Sequence, residues 1–532
     1  MASKLELMWL NKEQNLSVEP RILIERHELS YKHDHISLLQ DQKATFDNLL
    51  IHGDNLLGLK ALEPSFAGKI KCVYIDPPYN TGSAFEHYDD NVEHSVYLSL
   101  MKPRLESIRK LLMDEGSLWI SIDDDEQAYL KVLCDEVFGR NNFVATCIWQ
   151  KKHTRANDAK WFSDNHDFIL VYAKNKERWH PYLLPRTEEN VSGYSNPDND
   201  PRGPWQSLPL QARSGTDPNF EHTFSNGVVW HPPVGRYSAF SHESLQEMEK
   251  DNRIWFGANG QNIPRYKKFL SEVKDGLVPT TIWLRDEVGD NQEAKTEAKI
   301  LSPLDVFSTP KPERLIHKIL TLATKPGDIV LDSFLGSGTT IAVAHKMHRR
   351  WIGIEMMPTA YSHCKTRMDL IIDGKDKGGI TELVNWTDGG GYKFYELAPT
   401  LINEDAFGQA VINKEYNSDM LAAAVAIHEG FKYEPDNDCY WKQSKNDNNT
   451  YLYVTTNHIN ENIVNGIKTE MKDDEFLVIV CKSYDEALKH YSKNITIKKI
   501  PQSLLKNCEF GVDNYSLNIV CPPEYEYEED DE

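Results

Sequence analysis

Short apolar runs alternate along much of the chain with stretches whose apolar residues recur every three to four positions. Each short run is rich in β-branched and aromatic residues and leads into a polar turn, which predicts a buried strand. Six runs of this kind are Leu49–Ile51, Lys71–Ile75, Ser117–Ile122, Phe168–Tyr172, Asp328–Asp332 and Trp351–Glu355. Helical spacing is found over Arg104–Met113, Arg314–Leu322 and Thr339–Met347. Strands that alternate with helices predict an α/β fold, with a largely parallel sheet covered by helices on both faces.

The same pattern divides the chain into segments. The alternation fades between residues 176 and 300, where Pro, Gly, Asn and Trp are frequent, and this stretch predicts an inserted, loop-rich domain. The composition changes again after Gly389–Gly391, and the residues from 401 onwards predict a small α/β domain. A length of 532 residues suits about three domains. The predicted organisation is an N-terminal segment 1–45, a first sheet half 46–175, an insert 176–300, a second sheet half 301–400 and a C-terminal domain 401–532.

Charge is distributed unevenly among these segments. The net charge is −22, of which residues 401–532 carry −13, while residues 151–300 carry −1 and residues 301–400 carry +1. A strongly acidic chain repels phosphate at long range, so any contact with nucleic acid must be local and must lie mainly in the middle of the chain. The C-terminal sequence EYEYEEDDE predicts a solvated, disordered tail, to which we assign no function.

The sequence gives no sign of a membrane or secreted protein. No apolar run approaches the roughly 18–20 residues that span a bilayer, and the first residues lack the basic and apolar segments of a secretory signal. The eight cysteines include no C-x-x-C pair, which argues against both a zinc site and a disulfide framework. We therefore expect a cytoplasmic protein with reduced thiols.

The first candidate site is the turn Asp76-Pro77-Pro78-Tyr79, which follows a predicted strand. Two consecutive prolines fix the backbone and remove two N–H donors, so the turn presents acceptors: the Asp76 carboxylate and the Pro77 carbonyl. An exocyclic amino group has two N–H donors to match them, and Tyr79 could stack on the flat ring that bears it. The alternative interpretation is a structural Pro-Pro turn in which Asp76 serves as a cap.

The second candidate site is the Gly-rich turn Asp332-Ser333-Phe334-Leu335-Gly336-Ser337-Gly338, between a predicted strand and a predicted helix. Glu355 ends the next strand, 19 residues after Gly336, close to the ~20-residue offset at which an acidic side chain reaches a ribose hydroxyl. The third glycine of a dinucleotide site and the Gly-Lys of a phosphate-binding loop are both absent. A ribose-binding acid without phosphate-binding parts points to S-adenosylmethionine.

Together the two sites resemble the DNA amino-methyltransferases, with a DPPY catalytic motif and an F-x-G-x-G cofactor motif formed by Phe334, Gly336 and Gly338. The catalytic motif precedes the cofactor motif in the chain, and a long insert separates them. This order resembles that of the β class of these enzymes. The resemblance implies a Rossmann-like, S-adenosylmethionine-dependent methyltransferase sheet of circularly permuted order, with an inserted target-recognition domain.

Further segments between about residues 45 and 400 look like the Mod subunit of type III restriction–modification systems. They are Asp76–Gly82, Asp200–Trp205, Arg253–Gly257, Asn291–Ala294 and Gly390–Leu397. The segments Leu50–Leu56 and Ser308–Glu313 resemble those that contact the adenine and the methionine end of the cofactor. The resemblance thus implies catalysis by Asp76, Pro77, Pro78 and Tyr79. The residues expected around the cofactor are Asp54, Thr309, Lys311, Asp332, Phe334, Gly336, Gly338 and Glu355.

The insert is predicted to read the DNA sequence. Its basic positions include Arg202, Arg253, Arg265 and Lys267, and its tryptophans Trp205, Trp230 and Trp255 could stack on bases, although core packing is the better interpretation for each. Outside it, the cluster Lys151-Lys152-His153-Thr154-Arg155 either contacts phosphates, through Lys151, Lys152 and Arg155, or is an ordinary solvated loop.

The function predicted from these features is site-specific methylation of adenine N6 in double-stranded DNA by base flipping. The protein would be the modification subunit of a type III system or a solitary homologue. Cytosine-N4 methylation by the same machinery and a non-catalytic recognition module remain alternatives. We expect a homodimer, and a separate restriction subunit as a possible partner, because no helicase, nuclease or Walker motif is found. Residues 401–532 would serve assembly. No metal is predicted, because the run Asp123–Glu126 is better explained as a turn and helix start.

Overall fold

The computed structural model describes most of the chain. The described residues are 6–9, 12, 18–19, 21–33, 47–79, 94–155, 159–273, 276–301, 305–404, 407, 409–446, 448–490 and 492–500. The Asn80-Thr81-Gly82 end of the first motif and the acidic tail lie outside them. The chain divides into two compact units, of which one is Leu183–Pro279 and the other contains the rest.

The first part of the larger unit contributes the first half of its main sheet. The elements are β1 (Leu23–Glu25), β2 (Tyr31–Lys32), β3 (Leu49–His52), α1 (Asn55–Phe66), β4 (Ile70–Ile75), α2 (His94–Leu111), β5 (Leu112–Ile122), α3 (Asp124–Cys134), β6 (Phe143–Gln150) and β7 (His166–Ala173). A π-helical turn, Asp135–Gly139, follows α3.

The smaller unit, residues 183–279, is built from short strands. Its elements are α4 (Glu188–Val191), β8 (Trp205–Pro209), β9 (Gln211–Ala212), β10 (His222–Thr223), β11 (Val229–Trp230), β12 (Tyr237–Ser238), α5 (His242–Lys250), β13 (Ile254–Trp255) and β14 (Arg265–Phe269). Its two ends pair with each other through Leu184 and Leu277, so the chain enters and leaves the unit at one place. The unit is narrower than the predicted insert of 176–300.

The chain then returns to the main sheet. The elements are β15 (Ile282–Trp283), α6 (Arg285–Val288), α7 (Asn291–Leu301), α8 (Glu313–Ala323), β16 (Ile329–Asp332), α9 (Thr339–Lys346), β17 (Arg350–Glu355), α10 (Thr366–Ile372) and β18 (Gly391–Leu397). The main sheet has the order β1-β18-β3-β17-β16-β4-β5-β7-β6-β15, with β2 beside β18. The six strands from β18 to β5 are parallel to their neighbours. The fold is therefore a mixed α/β sheet with a parallel centre, as predicted.

Both faces of this sheet are covered. Val73 and Ile75 of β4 pack in a core with residues of the helices α1, α2 and α3. Alternate residues of a strand point to opposite faces, and Trp119 of β5 stacks on Trp283 with ring centroids 6.3 Å apart. The ammonium of Lys318, from α8, lies 4.7 Å from the centroid of the Trp283 ring. Helix α8 therefore covers the face opposite α1–α3.

The two halves of the sheet meet at its centre. Strand β4 lies next to β16, with Cys72 opposite Val330 and Val73 opposite Leu331. Because β4 precedes the smaller unit in the chain and β16 follows it, strands more than 250 residues apart become neighbours. This adjacency is the permuted order that the motif sequence predicted.

The described residues between 401 and 500 form a two-stranded sheet and a five-stranded second sheet, with two helices. The elements are β19 (Ile402–Glu404), β20 (Ala410–Ile412), α11 (Ser418–His428), β21 (Lys432–Tyr433), β22 (Ser444–Lys445), β23 (Thr450–Ile459), α12 (Glu461–Glu470), β24 (Phe476–Tyr484) and β25 (Ile495–Lys499). Strands β19 and β20 form the two-stranded sheet, and β21 to β25 form the second sheet in the order in which they are numbered, with β23, β24 and β25 parallel. Helix α11 packs in a core with Leu452, and α12 in another with Ile479.

Two of the predicted helices agree with α8 and α9 to within one residue at each end, whereas the third differs more. The helix predicted over Arg104–Met113 corresponds to α2, which begins earlier, at His94. The predicted helix also extends too far, because Leu112 and Met113 already belong to β5. The strand predicted over Ser117–Ile122 is accordingly longer. Among the described residues no helix is both long and apolar enough to cross a bilayer.

Candidate active site

The carboxyl ends of the central parallel strands lie at one edge of the main sheet. Strand β3 is followed by Asp54, β4 by Asp76 and β5 by Asp123, while β16 ends in Asp332 and β17 in Glu355. Because these five strands run in the same direction, the five acidic residues line the same edge. Ligands of open α/β sheets bind at this edge.

The Asp76-Pro77-Pro78-Tyr79 turn is held by a cation from the second half of the chain. The Lys311 ammonium donates to Asp76 Oδ2 at 2.5 Å, and it lies 5.0 Å from the centroid of the Tyr79 ring. The second oxygen, Asp76 Oδ1, is buried and has no hydrogen-bond partner among the described residues. A buried acceptor without a partner is costly and needs an explanation. Asp76 thus has one oxygen fixed by Lys311 and one available to a donor from a ligand.

A further acidic residue, which the sequence analysis missed, lies beside Tyr79. Asp167, at the start of the antiparallel strand β7, is 3% exposed, and its Oδ2 lies 3.5 Å from the Tyr79 hydroxyl. Burial raises the pKa of Asp167, although the nearby Lys151 and Lys311 oppose this shift. Burial also raises the pKa of the Tyr79 hydroxyl, and the carboxylates Asp167 and Asp76 add to the effect. No sequence motif marks Asp167, because only the pairing of β7 with β5 brings it to this edge.

Lys151 is the cation that neutralises Asp167. Its ammonium lies 2.7 Å from Asp167 Oδ1 and 2.6 Å from Asp164 Oδ2, and the residue is buried. The structure therefore contradicts the prediction that Lys151 contacts DNA phosphate, because its charge is already paired with two carboxylates. The neighbouring Lys152 and Arg155 are exposed, and their contact with DNA stays a prediction.

The Gly-rich turn is shaped by its backbone and by two acidic side chains. Asp332 Oδ1 accepts from the Phe334 N–H at 2.9 Å, and Glu355 Oε2 accepts from the Gly336 N–H at 2.6 Å. Gly336 and Gly338 have φ of +54° and +78°, a region that favours glycine. A Cβ at Gly336 would lie only 3.1 Å from the Phe307 ring. Burial raises the pKa of Asp332 to about 7.

The predicted adenine-binding residue also has a structural role. Asp54 caps helix α1 by accepting from the Leu57 N–H at 2.9 Å, and its Oδ2 lies 3.3 Å from Arg104 Nη2. Arg104 Nε donates to Asn55 Oδ1, and Asn55 Nδ2 donates to the Ser333 carbonyl at 2.9 Å. This chain of contacts ties the turn after β3 to the Gly-rich turn after β16. Sequence reasoning missed the contact between Arg104 and Asn55, because Arg104 belongs to no motif and lies 49 positions from Asn55.

A second buried network holds the Gly-rich turn from behind. Arg367 Nη1 donates to Thr339 Oγ1 at 3.0 Å, and Arg367 Nη2 donates to Glu313 Oε1 at 2.8 Å. Lys346 donates to the same Glu313 carboxylate at 2.8 Å. Helices α8, α9 and α10 are joined in this way beneath the turn. Sequence reasoning did not find this network, because its members come from three helices.

These surroundings fit S-adenosylmethionine better than a phosphate-bearing nucleotide. The turn from Asp332 to Thr340 contains no lysine or arginine, and the groups that it presents at the strand ends are carboxylates, which suit ribose hydroxyls and a positively charged ligand. Asp76 Oδ1, for which the described residues offer no donor, could accept from a bound ligand. The residues that could hold the cofactor are therefore those around the Gly-rich turn together with Glu355 and Asp54. The structure gives Lys311 a contact with Asp76, and Thr309 lines a separate cleft described below.

The basic residues of the smaller unit are largely engaged with its own acids. Lys267 is 1% exposed and pairs with Asp198 and with Asp200, whose Oδ2 lies 3.4 Å from the ammonium. The prediction that Lys267 binds DNA is therefore wrong, because its ammonium is not accessible to a phosphate. Arg202 pairs with Asp200 at 2.8 Å and with Asp251 at 3.0 Å.

Arg253 and Arg265, the other two predicted DNA contacts of this unit, differ in availability. Arg253 pairs with Asp251 at 2.5 Å and with Glu272. Arg265 is exposed and donates only to Ser207. Two of the three tryptophans, Trp205 and Trp230, are buried at 3% and 5% exposure, which confirms packing as their role.

The acidic run after β5 is a helix start, as predicted. Asp123 caps α3 by accepting from the Asp125 N–H at 3.1 Å. Asp124 does face Asp164 and His166, with one candidate ligand atom from each lying within 4.8 Å of the others. All three are solvent-accessible, and Asp164 already pairs with Lys151. This cluster therefore carries no assignment.

Comparison with known proteins agrees with the geometry. The profile of an N6/N4 DNA methylase family matches residues 70–366. A probable type III restriction–modification enzyme HindVI Mod subunit of Haemophilus influenzae is 32% identical over 424 residues, covering 68% of this chain and 55% of the relative. The StyLTI Mod subunit of Salmonella typhimurium is 36% identical over 340 residues, covering 58% and 51%. The chain thus spans about half the length of these curated relatives. Because the family profile covers more than half of it, the chain belongs to the N6/N4 DNA methylase family.

Proposed function

We propose that this chain is a site-specific DNA methyltransferase that transfers a methyl group from S-adenosylmethionine to adenine N6 in double-stranded DNA. Its role would be that of the modification subunit of a type III restriction–modification system, or of a solitary homologue. Family membership and two relatives named as Mod subunits support the proposal. The observation that carries it is the buried Asp76 Oδ1 beside Tyr79, which has no hydrogen-bond partner in the described part of the chain and follows the strand next to β16.

The proposed chemistry must overcome the weak nucleophilicity of an aromatic amine. The lone pair of its nitrogen is delocalised into the ring, so the nitrogen is a poor nucleophile. Asp76 Oδ1 and the Pro77 carbonyl can accept its two N–H bonds and so favour a pyramidal nitrogen with an outward lone pair. Lys311 fixes the orientation of the Asp76 carboxylate through Oδ2.

The adenine must leave the duplex to reach this turn. Extrusion of a base costs a few kcal/mol of unstacking, which stacking on Tyr79 and the hydrogen bonds to Asp76 and Pro77 partly offset. When bound, S-adenosylmethionine supplies an electrophilic methyl group on its sulfonium. Alignment of the amino nitrogen by Asp76, Pro77 and Tyr79 then provides most of the catalysis. The nitrogen loses one proton as the N–C bond forms, and Asp76 or water accepts it.

The remaining parts have proposed roles as well. The smaller unit, residues 183–279, would recognise the target sequence, with Arg265 as its exposed predicted DNA contact. The second sheet, within 401–532, would serve assembly with a second copy or with a restriction subunit. Its segment carries −13 of the net charge, which disfavours DNA as its partner. A chromosomal substrate implies a cytoplasmic location in a bacterium or archaeon.

The test is transfer of a labelled methyl group from S-adenosylmethionine to duplex DNA, followed by identification of the labelled nucleoside. We expect N6-methyladenine from the native chain. In Asp76→Ala, we expect turnover to fall by at least about 10²–10³-fold, because an oriented acceptor at the reacting atom is lost, while cofactor binding remains. Sequencing the methylated positions in a genome that expresses the protein then gives the recognition sequence.

Other outcomes would contradict the proposal at different points. Label in N4-methylcytosine would refute the choice of adenine but not of the reaction. Cofactor binding without transfer to any DNA would favour a non-catalytic recognition module. Near-normal turnover of Asp76→Ala would refute the assignment of the catalytic turn.

A further inference from the structure

Two neighbouring aromatic side chains project into solvent between β6 and β7. Trp161 is 82% exposed and Phe162 is 94% exposed. Among the described residues no other two adjacent large apolar side chains are both exposed. Exposed apolar groups that lie together, with polar residues around them, mark binding sites more often than isolated ones do. The pair, which we call the aromatic tip, was not singled out by any sequence motif.

Hydrogen bonds near the ends of β6 and β7 anchor the segment that carries the aromatic tip. Asn165 Nδ2 donates to the carbonyls of Lys152 and Thr154 at 3.2 and 3.1 Å, and the Asn165 carbonyl accepts from the Lys151 N–H at 3.0 Å. Ser163 donates to Asn165 Oδ1. The two sides of the connection are therefore joined just below the tip. These hydrogen bonds hold the segment in the position in which Trp161 and Phe162 are exposed.

The residues that anchor this segment also contact the candidate active site. Lys151 pairs with Asp164, two residues from Phe162, and with Asp167. Asp167 in turn lies 3.5 Å from the Tyr79 hydroxyl. Three successive side-chain contacts thus connect the catalytic turn with Asp164, which lies next to the aromatic tip in the chain. The tip is placed at the same edge of the sheet as Asp76.

The charge around the tip indicates the kind of ligand. Lys152, His153, Arg155 and Lys160 are all exposed and lie within nine residues of Trp161. The same stretch of sequence contains two carboxylates, Asp158 and Asp164, of which Asp164 is paired with Lys151. The Lys160 ammonium lies 5.1 Å from the centroid of the Trp161 ring. Exposed aromatic rings next to cations suit a ligand with flat bases and a phosphate backbone.

A cleft beside the connection has the same character. It has a volume of about 640 Å³ and is lined by Lys151, Lys152, His153 and Thr154 on one side. Other lining residues include Arg285, Lys295, Thr309 and Arg314. Arg285 and Arg314 are neutralised by Asp290 and Glu293, whereas Lys152 and Lys295 are exposed. The lining also contains the exposed carboxylate Asp286, which lies 3.4 Å from Arg285. The lysines and arginines of the wall outnumber its carboxylates, so the net charge of the wall is positive.

We infer that Trp161 and Phe162 stack on the bases next to the target position and stabilise the DNA in which the target base has been extruded. The inference rests on the proposed function. It adds a base-stacking site that is separate from the catalytic turn and from the residues that would hold the cofactor. Extrusion leaves the neighbouring bases with unstacked faces, and aromatic side chains are the groups that cover such faces.

The test uses the full chain and two duplexes that contain the mapped recognition sequence. In one duplex the target adenine is paired with thymine, and in the other it lies opposite an abasic position. We expect Trp161→Ala/Phe162→Ala to reduce kcat/KM on the paired duplex by about 5- to 100-fold, the range that corresponds to stacking on a base. The loss on the abasic duplex should be clearly smaller, because extrusion there is easier. Trp161→Phe should retain most of the activity, because a ring remains.

A second readout does not depend on turnover. With 2-aminopurine at the target position and the cofactor product present, the native chain should raise the fluorescence on binding, and the double variant should raise it less. Leu383→Ala is the matched control, because Leu383 is 61% exposed but lies on the segment that leads to Trp386, which packs on His345 at the C-terminal end of α9. The control should leave all of these quantities unchanged, and the double variant should retain cofactor affinity and melting temperature.

Contradictory outcomes separate this inference from the proposed function. If the native chain methylates DNA and the double variant does so equally well on the paired duplex, the stacking site is refuted while the function stands. Equal losses on both duplexes would assign the pair to general binding and refute a role in extrusion. If the native chain neither methylates DNA nor raises the fluorescence, the proposed function fails, and the inference fails with it.

Discussion

The catalytic edge of the main sheet and the smaller unit, residues 183–279, both bury charged side chains, but they use them differently. In the smaller unit, Lys267 is enclosed by Asp198 and Asp200, and Arg202 bridges Asp200 and Asp251. At the catalytic edge, one oxygen of Asp76 is paired with Lys311 and the other has no partner among the described residues.

The difference indicates which buried charges serve a ligand. A buried ion pair whose atoms are all engaged holds a structure together, and removing one partner leaves an uncompensated charge. A buried polar atom for which the described residues offer no partner needs an explanation, and a ligand that donates to it is one such explanation. By this criterion, the charged cluster around Lys267 is structural, whereas Asp76 is a candidate for contact with a ligand.

The largest effect is expected in the smaller unit. Lys267→Met should destabilise residues 183–279 by about 3–5 kcal/mol, because Asp198 and Asp200 would remain without their buried cation. Denaturant unfolding and hydrogen exchange within the unit measure this loss. Arg265→Met, on the same strand but exposed, should cost less than about 0.5 kcal/mol. Similar losses of stability in the two variants would show that the buried Lys267 contributes no more to stability than the exposed Arg265.

The next effect is a change in the pH dependence of stability at the catalytic edge. The pKa of Asp332 is raised to about 7 by burial, whereas the unfolded chain ionises it near pH 4. Between these values the folded protein binds more protons than the unfolded chain, so the contribution of Asp332 to stability falls as pH rises.

Asp332→Asn should remove this contribution. Relative to the native chain, its free energy of unfolding should increase from pH 4 to pH 7 by up to about 4 kcal/mol, the equivalent of about three pKa units. Urea unfolding at several pH values measures the difference. A difference that does not vary with pH would show that Asp332 is ionised alike in both states.

A smaller effect is expected from the cation that fixes Asp76. Lys311→Met should lower kcat for methylation by about 10–100-fold, because small misplacement of an aligning group reduces the rate to this extent. DNA affinity should change little, and Lys311→Arg should restore part of the rate. Single-turnover methylation with saturating cofactor measures the effect. An unchanged rate would show that Asp76 needs no such orientation.

The smallest effect is expected from the exposed cations beside the cleft. Lys152→Ala and Arg155→Ala should each weaken DNA binding by about 3- to 10-fold and reduce the slope of log affinity against log salt by about one. Lys445→Ala, in the second sheet, is the control and should change neither. Titration of labelled duplex at several salt concentrations measures both quantities. A slope like that of the native chain would show that neither residue contacts phosphate.

Much of the fold could be predicted because it depends on local pattern. The strand before Asp76 and the strand before the Gly-rich turn are short apolar runs with polar turns after them, and both are found as predicted. The C-terminal end of α2 was misjudged because Leu112 and Met113 continue its apolar pattern, although both belong to β5 and Leu112 pairs with Ile70 of β4. Apolar side chains suit a helix and a buried strand alike, so periodicity did not separate them.

The candidate site was predictable only where it coincides with a motif. The turns at Asp76 and Gly336 were found, and the sheet order brings them to one edge. Asp167, Arg104 and Arg367 were not found, because each contacts a turn that is distant in sequence. Lys151 and Lys267 were misjudged for the related reason that a basic residue looks the same whether its charge is free or paired.

The amino-acid sequence by itself determined the alternation of strands and helices, the proline-fixed turn and the glycines of the cofactor turn, because these depend on neighbours within a few residues. Only the tertiary structure decided which charges remain available. Lys311 reaches Asp76 across 235 positions, and Lys267 reaches Asp198 across 69. Whether a charge is neutralised depends on partners that the folding of distant segments brings to it, and pairing over such distances leaves no local pattern.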